Sequence, residues 1–373
     1  MIIPVNFFAR NISIIGFTAF VSLGLFLVFL RGSFHDYEAY EKQWYLISSG
    51  QPELATDNVY GPIHYVFAYL WSFYPLAPKL LMFILLSMAF APLFWKVSHI
   101  NENTTKALFF LLLPFNFLTL SISASFGLND TLVAAFVLAC VLTYSRSYFK
   151  VAGIFLGLAI LVKIYPIVFL PFLGMHNRKF LWPLITSSIF TVLLGYVIAF
   201  HVWQKSVVSA FSFGVERDPK YFNFLGSWYY RLNREYNSWL SFLSDWNVLV
   251  CVIVLSFLFV LFFLKQFDSI STGFIAFLIL MTFYKGSSQQ YFLPWISIWG
   301  YMLLSKDEIA QRISRISAPY ICFLSIFALG YEIFSQYFGL ILIREYVGFF
   351  TLILGLCVVR EALRILLVDN AAS

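Results

Sequence analysis

Runs of 18 to 22 mostly apolar residues recur along this chain, for example Ile12 to Leu30, Leu181 to Val202 and Val248 to Leu264. Each run is long enough to cross about 30 Å of hydrocarbon as a helix. Unpaired amides in lipid are too costly for any other open structure, so the backbone in those runs must be helical. No strand-period alternation runs along the chain, which argues against a barrel. Charged residues make up only 11% of the 373 positions and hydrophobic ones 61%, against about 25% charged in an ordinary soluble domain. The fold class expected is therefore an all-α polytopic membrane protein, with residues 1–373 forming a single transmembrane domain of about 11 to 12 hydrophobic helical segments. No sequence repeat divides it.

The first apolar run follows Arg10, and Arg31-Gly32-Ser33-Phe34 behind it lacks a small-residue cleavage pattern, so it reads as a retained span. Polar breaks place further spans near 78–95, 107–124, 131–145, 181–202, 247–264, 271–284, 290–304, 317–335 and 339–359. Lys96, Lys106, Arg146 and Lys150 lie in short loops and set those loops in the cytoplasm, with the N-terminus inside. Residues 151–174 are the difficult stretch. A proline and a lysine interrupt it at Lys163-Ile164-Tyr165-Pro166, and proline removes a helical hydrogen bond while an intramembrane lysine needs a polar surrounding. A chain that turns back there keeps His176-Asn177-Arg178-Lys179 inside, whereas a single crossing puts them outside. The short-loop charges favour the broken reading.

Four cysteines, Cys140, Cys251, Cys322 and Cys357, sit inside apolar runs and suggest no disulfide framework. The five histidines show no paired-ligand spacing, and no metal or cofactor is called for. The net charge of +6 comes from basic residues scattered among loops, which fits anchoring at membrane lipids and not nucleic-acid binding.

Two extracytoplasmic segments follow from this topology, residues 31–77 and 203–246. In the first, Ser33 is placed to cap a helix with Asp36 in its opening turn. Tyr37, Tyr40, Trp44 and Ile47 recur at three- and four-residue spacing, and Gly50 suits the helix end. In the second, an apolar stripe from Leu225 to Leu243 opposes Arg231, Arg234 and Glu235. Both read as helices lying in the membrane interface. The polar residues then gather on one side of the membrane: Asp36 with its tyrosines, Asp57 to Pro62, Asn129-Asp130, the stretch "GVERDPKYF" and the stretch "YKGSSQQYFLPW". Such a cluster offers a carboxylate as a general base, cations for a phosphate and aromatic walls for a sugar or an isoprenoid chain.

The ordered set "HDYEAY", "GQPELATDNVYGPIHYVF", "GLNDTLVAA", "GLAILVKIYPIVFLP" and "SSQQYFLPW" resembles the GT-C superfamily of integral-membrane glycosyltransferases. The likeness is nearest to the bacterial mannosyl- and arabinosyltransferase-like branch and to the enzyme that adds the first mannose to GPI precursors. It implies a GT-C fold in the bacterial inner membrane and inverting transfer of a mannose-like hexose or arabinose. The donor implied is a polyprenyl-phosphate-linked sugar, and the acceptor a lipid-linked molecule or a glycan. A transporter or flippase of a lipid-linked sugar is the rival reading, since it would also need a broken helix and midplane charges.

Asp36 is the candidate base and Asp57 its competitor, while Glu38, Glu41 and Glu53 read as solvated faces. Candidate donor- or substrate-binding residues are Tyr37, Tyr60, His64, Asp130, Lys163, Arg217, Lys220, Lys285, Gln290 and Tyr291. Lys163 is either a cavity-lining cation or a lysine whose stem snorkels to the headgroups. His64 either lines the site or is a satisfied polar residue on an aromatic helix. Arg217, Lys220, Arg231 and Arg234 are either interfacial anchors or a phosphate-binding group. A cysteine introduced at Ser49 is expected to react with an impermeant thiol reagent applied to intact cells, and one at Asn103 is not. Equal labelling of the two would overturn this topology.

Overall fold

A computed structural model gives the architecture; it describes residues 5–33, 36–55, 60–176, 178–204, 246–284, 287–338 and 341–369. The protein is an all-α membrane protein, and among the described residues five helical stretches are long and apolar enough to cross a bilayer. They are α1 (Val5–Arg31), α4 (Ala77–Val97), the stretch Asn103–Phe126, α10 (Trp182–Trp203) and α11 (Asn247–Lys265). Exposed large apolar side chains along α10 and α11, such as Phe190, Leu193, Ile253 and Phe257, are the lipid-facing surface expected of such helices.

The stretch Asn103–Phe126 is not one regular helix. It divides into α5 (Asn103–Leu112), α6 (Phe117–Leu120) and a π-helical turn at Ser121–Phe126, which Gly127 ends in a left-handed conformation at φ +66°. That turn leads into α7 (Asp130–Tyr144), which is followed by α8 (Phe149–Val162). Both are short, buried and apolar. Toward the C-terminus come α12 (Ser269–Phe283), α13 (Phe292–Leu303), α14 (Glu308–Phe338) and α15 (Ile341–Asp369).

Residues 151–174 double back on themselves. Helices α8 and α10 run parallel, because a Cβ on Gly153 would meet Leu184 and Ser187, one on Gly157 would meet Ser188 and Thr191, and one on Gly195 would meet Leu161. Two consecutive parallel helices require the chain between them to return to its starting level. It does so through a 3₁₀ turn at Tyr165–Phe169, a single helical turn α9 (Leu170–Leu173) and a tight antiparallel pair, Met175–His176 with Lys179–Phe180. This return runs down α12 in reverse order. Tyr165 packs against Phe277 at a tilt, Phe169 stacks on Phe277 and lies beside Gly273, and Ser269 Oγ donates to the Met175 carbonyl. The interruption at Lys163 to Pro166 is therefore a turning point, and Arg178 and Lys179 end at the same level as Lys150.

The first polar segment forms α2 (Asp36–Ser48) and α3 (Pro62–Phe73), packed against each other. Tyr37, Tyr40, Trp44 and Ile47 are the buried face of α2, as their spacing predicts. Two local expectations change. The Ser33 hydroxyl bonds to Glu41 and not to the start of α2, and the stripe faces α3 and the protein interior instead of lipid, with Tyr37, Tyr40 and Trp44 fully buried. The interfacial helix expected within 203–246 lies outside the described residues. One end of the bundle thus carries α2, α3 and the starts of α4, α7 and α13. The opposite end carries Lys96, Arg146, Lys150, Arg178, Lys265 and Lys306.

Candidate active site

The centre of the α2–α3 end is a buried ion pair. Helix α8 stops at Lys163, whose backbone is extended at φ −148° and ψ 143°; Pro166 lacks the N–H that a continued helix would give to the Val162 carbonyl. Asp130 occupies the first turn of α7, where the positive end of the helix dipole favours a carboxylate. Lys163 Nζ donates to Asp130 Oδ2 at 2.6 Å, and the Tyr165 hydroxyl donates to Asp130 Oδ1 at 2.7 Å. Both carboxylate oxygens are engaged, and Asp130 is fully buried. The Lys163 ammonium also lies 4.8 Å from the centre of the Tyr291 ring and 5.4 Å from that of Tyr60. Lys163 does not snorkel: it is 8% exposed and its charge is met inside the protein.

Tyr60 reaches this pair because of the glycine beside it. Gly61 donates its N–H to the Val162 carbonyl at 3.0 Å, and a Cβ there would stand 2.0 Å from the Leu161 carbonyl oxygen. No other residue lets the loop approach the end of α8 so closely. Pro62 then opens α3 at a position where its missing donor costs nothing. One turn into α3, the His64 ring lies 4.8 Å from Tyr60, 5.2 Å from Tyr40 and 5.1 Å from Trp44. Asn129 Nδ2 donates to His64 Nδ1 at 3.0 Å, which leaves the ring proton on Nε2 to donate to Gln43 Oε1, also at 3.0 Å. His64 is therefore a fully buried tie between α2, α3 and the start of α7. The Asn129 side-chain oxygen Oδ1, buried beside it, has no hydrogen-bond partner among the described residues.

Asp36 opens α2 and is exposed. Its charge nevertheless reaches inward. Burial pushes the Tyr60 hydroxyl up to about 12, with Lys163 pulling it down and Asp36 pushing it up. Burial likewise raises Tyr40 well above its ordinary value, and the charges of Tyr60, Asp36 and Asp130 add to it. Both phenols stay protonated at neutral pH. Asp36 and Lys163 thus act on one side chain, Tyr60, whose ring stands 5.0 Å from that of Tyr40.

Tyr37 is set apart from this group. Its hydroxyl donates to the Pro75 carbonyl at 2.8 Å, pinning α2 to the turn before α4. Next to it Lys79 Nζ donates to the carbonyls of Gly32 at 2.8 Å and Ser125 at 2.7 Å, joining the end of α1 to the π-helical turn. Gln290 is buried beside Tyr291 in the short turn that precedes α13. The structure therefore brings together Tyr60, His64, Asp130, Lys163 and Tyr291, with Asp36 bearing on Tyr60 and Gln290 adjacent to Tyr291. Asp57, Arg217, Lys220 and Lys285 lie outside the described residues. Asn129, named with Asp130 in the polar cluster, joins the group, and so do Tyr165 and Gln43, which were not candidate site residues. Tyr165 stands within the "KIYP" interruption, which could have pointed to it, whereas Gln43 carries no signal of its own.

A family model described as glycosyltransferase family 87 matches residues 58–264 of the chain, more than half of its length. The match contains Tyr60, His64, Asp130 and Lys163, begins beyond Asp36 and ends before Gln290. No curated protein and no solved structure matches the chain.

A buried pair is most expensive when only one partner is removed. Asp130→Asn leaves Lys163 charged and uncompensated, and is expected to cost about 3–5 kcal/mol of stability. The double variant Asp130→Asn/Lys163→Met is expected to recover most of that loss. Thermal unfolding of the purified single and double variants checks this, and a double variant no more stable than Asp130→Asn alone would contradict the pairing.

Proposed function

This chain belongs to glycosyltransferase family 87, a membrane glycosyltransferase family of the GT-C type, and from that premise we propose that it moves a sugar from a polyprenyl-phosphate donor to a lipid-linked or glycan acceptor, with Asp36 as the general base. The observation that carries the reading is the meeting of Asp36 and Lys163 on Tyr60. Lys163, the proposed cation for the donor phosphate, lies 5.4 Å from the centre of the Tyr60 ring, and the charge of Asp36, the proposed base for the acceptor hydroxyl, bears on the same side chain. In this scheme the Asp36 carboxylate takes the acceptor proton as the acceptor oxygen bonds to the anomeric carbon. The bond from that carbon to the phosphate oxygen breaks, and polyprenyl phosphate leaves with the electron pair. Lys163 is anchored by Asp130, and its remaining ammonium hydrogens meet the charge that grows on the phosphate. Arg217, Lys220 and Lys285 are proposed as further phosphate ligands, and Tyr60, Tyr291 and Gln290 as walls for the sugar.

The proposed working face is extracytoplasmic. Lys96, Arg146, Lys150, Arg178 and Lys306 gather at the end opposite Asp36, and basic short loops stay in the cytoplasm. The proposed sugar is a mannose-like hexose or arabinose and the proposed location the bacterial inner membrane, both resting on the resemblance in the motifs.

Asp36→Asn keeps the size of the side chain and the start of α2 but cannot accept a proton. Transfer is expected to fall by about 10²-fold or more, the scale of a lost general base, with donor affinity unchanged. Asp57→Asn is expected to cost far less. Turnover of both variants beside the parent, with donor binding measured separately, decides between them; a normal Asp36→Asn and an inactive Asp57→Asn would move the base to Asp57.

A further inference from the structure

At the end of the bundle opposite Asp36, helices α4 and α7 part to leave a groove of about 480 Å³. Its walls are Met88, Ala91, Pro92, Trp95 and Leu142, and its polar end carries Lys96, Ser145 and Arg146. Met88 and Trp95 are 65% and 59% exposed, so the apolar wall opens sideways to the surrounding lipid instead of closing into the core. Lys96 is half-buried, with its ammonium 4.5 Å from the centre of the Tyr301 ring. The other charges that bear most on it are Arg146 and Lys306, all of one sign.

Lys96 and Arg146 at the polar end of the groove, with the charge of Lys306 acting on Lys96, repel one another unless an anion sits among them. Among the described residues, none of the three forms a salt bridge. The carboxylates nearest Tyr301 are Asp268 and Asp307, and both are engaged at helix starts. Asp268 Oδ2 accepts from the Ser271 N–H at 2.7 Å, and Asp307 Oδ1 accepts from the Ile309 N–H at 2.9 Å. An occupant that completes this surface must present a negative headgroup beside apolar chains directed along the membrane.

We propose that this groove holds an anionic glycerophospholipid of the adjoining leaflet. Its phosphate lies between Lys96 and Arg146, and an acyl chain runs along Leu142, Ala91, Pro92 and Met88 toward the bilayer centre. The site is separate from the Asp130–Lys163 pair, which lies at the other end of α7. Scattered surface charge would attract acidic lipids from every basic loop at this end, whereas a built groove ties retention to two particular side chains.

The test is lipid retention by the purified full-length protein, read by native mass spectrometry after equilibration with mixed micelles of phosphatidylglycerol and phosphatidylcholine. The parent is expected to retain phosphatidylglycerol preferentially. Lys96→Gln/Arg146→Gln is expected to lower that retention by about 30-fold, taking about 1 kcal/mol for each charge near the surface. Arg146→Gln alone, at an exposed position that leaves the fold intact, is expected to lower it about 5-fold on the same scale. Lys265→Gln, at the same end but away from the groove, is expected to change nothing. Retention unaffected by the double variant, or lowered as much by Lys265→Gln, would overturn the site. Displacement of the lipid by inorganic phosphate alone would make it a free-anion site and overturn the lipid assignment.

Discussion

The arrangement of this protein depends on one buried pair, Lys163 with Asp130. A lone charge in the middle of a transmembrane helix costs about 2.5–3.5 kcal/mol on insertion scales, and more where no water reaches it. The chain meets that cost with geometry. Helix α8 ends where its lysine begins, α7 begins where its aspartate sits, and the two ends meet at 2.6 Å. Tyr165 fills the second carboxylate oxygen, and the rings of Tyr60 and Tyr291 cover the ammonium. Two helix termini, a return segment, the α2–α3 loop and the turn before α13 therefore converge on a few atoms.

That convergence explains the doubling back. A lysine held at the top of α8 by α7 stops the helix from running on, and Pro166 turns the chain down against α12. The parallel packing of α8 on α10 follows from this, through glycines that let the two backbones approach closely. Gly61 performs the same service for the loop, seating Tyr60 against the last turn of α8. The Tyr40 ring of α2 stands 5.0 Å from Tyr60, and His64 with Asn129 and Gln43 ties the three elements together.

Much of the fold was legible in the sequence because the bilayer leaves few choices. The apolar runs set the helices, the stripe Tyr37, Tyr40, Trp44 and Ile47 set the buried face of α2, and the "KIYP" interruption marked the turning point. What the stripe faces was not legible, because aromatic residues at helical spacing bury equally well in an interface or against another helix. The site was legible in part. Asp130 and Lys163 stand out as charges among apolar residues, but 33 positions separate them, and no periodicity reports a pairing between the start of one helix and the end of the next. The break of the stretch 103–126 into α5, α6 and a π-helical turn left no clear mark either, since Ser121-Ile122-Ser123-Ala124-Ser125 reads as a plain small-residue helix until Lys79 and Gly127 define its end.

The central claim is that this bundle transfers a sugar and does not merely carry one. The most direct test is mass spectrometry of the products formed when the purified protein, in detergent, is given a panel of polyprenyl-phosphate sugars and a lipid-linked acceptor. Transport has no meaning in a micelle, whereas transfer can proceed there. The account predicts that one donor is consumed, with an elongated acceptor and free polyprenyl phosphate appearing in equal amounts. Unchanged donor and acceptor across the whole panel, from protein that moves a polyprenyl-phosphate sugar across the bilayer of sealed vesicles, would contradict it.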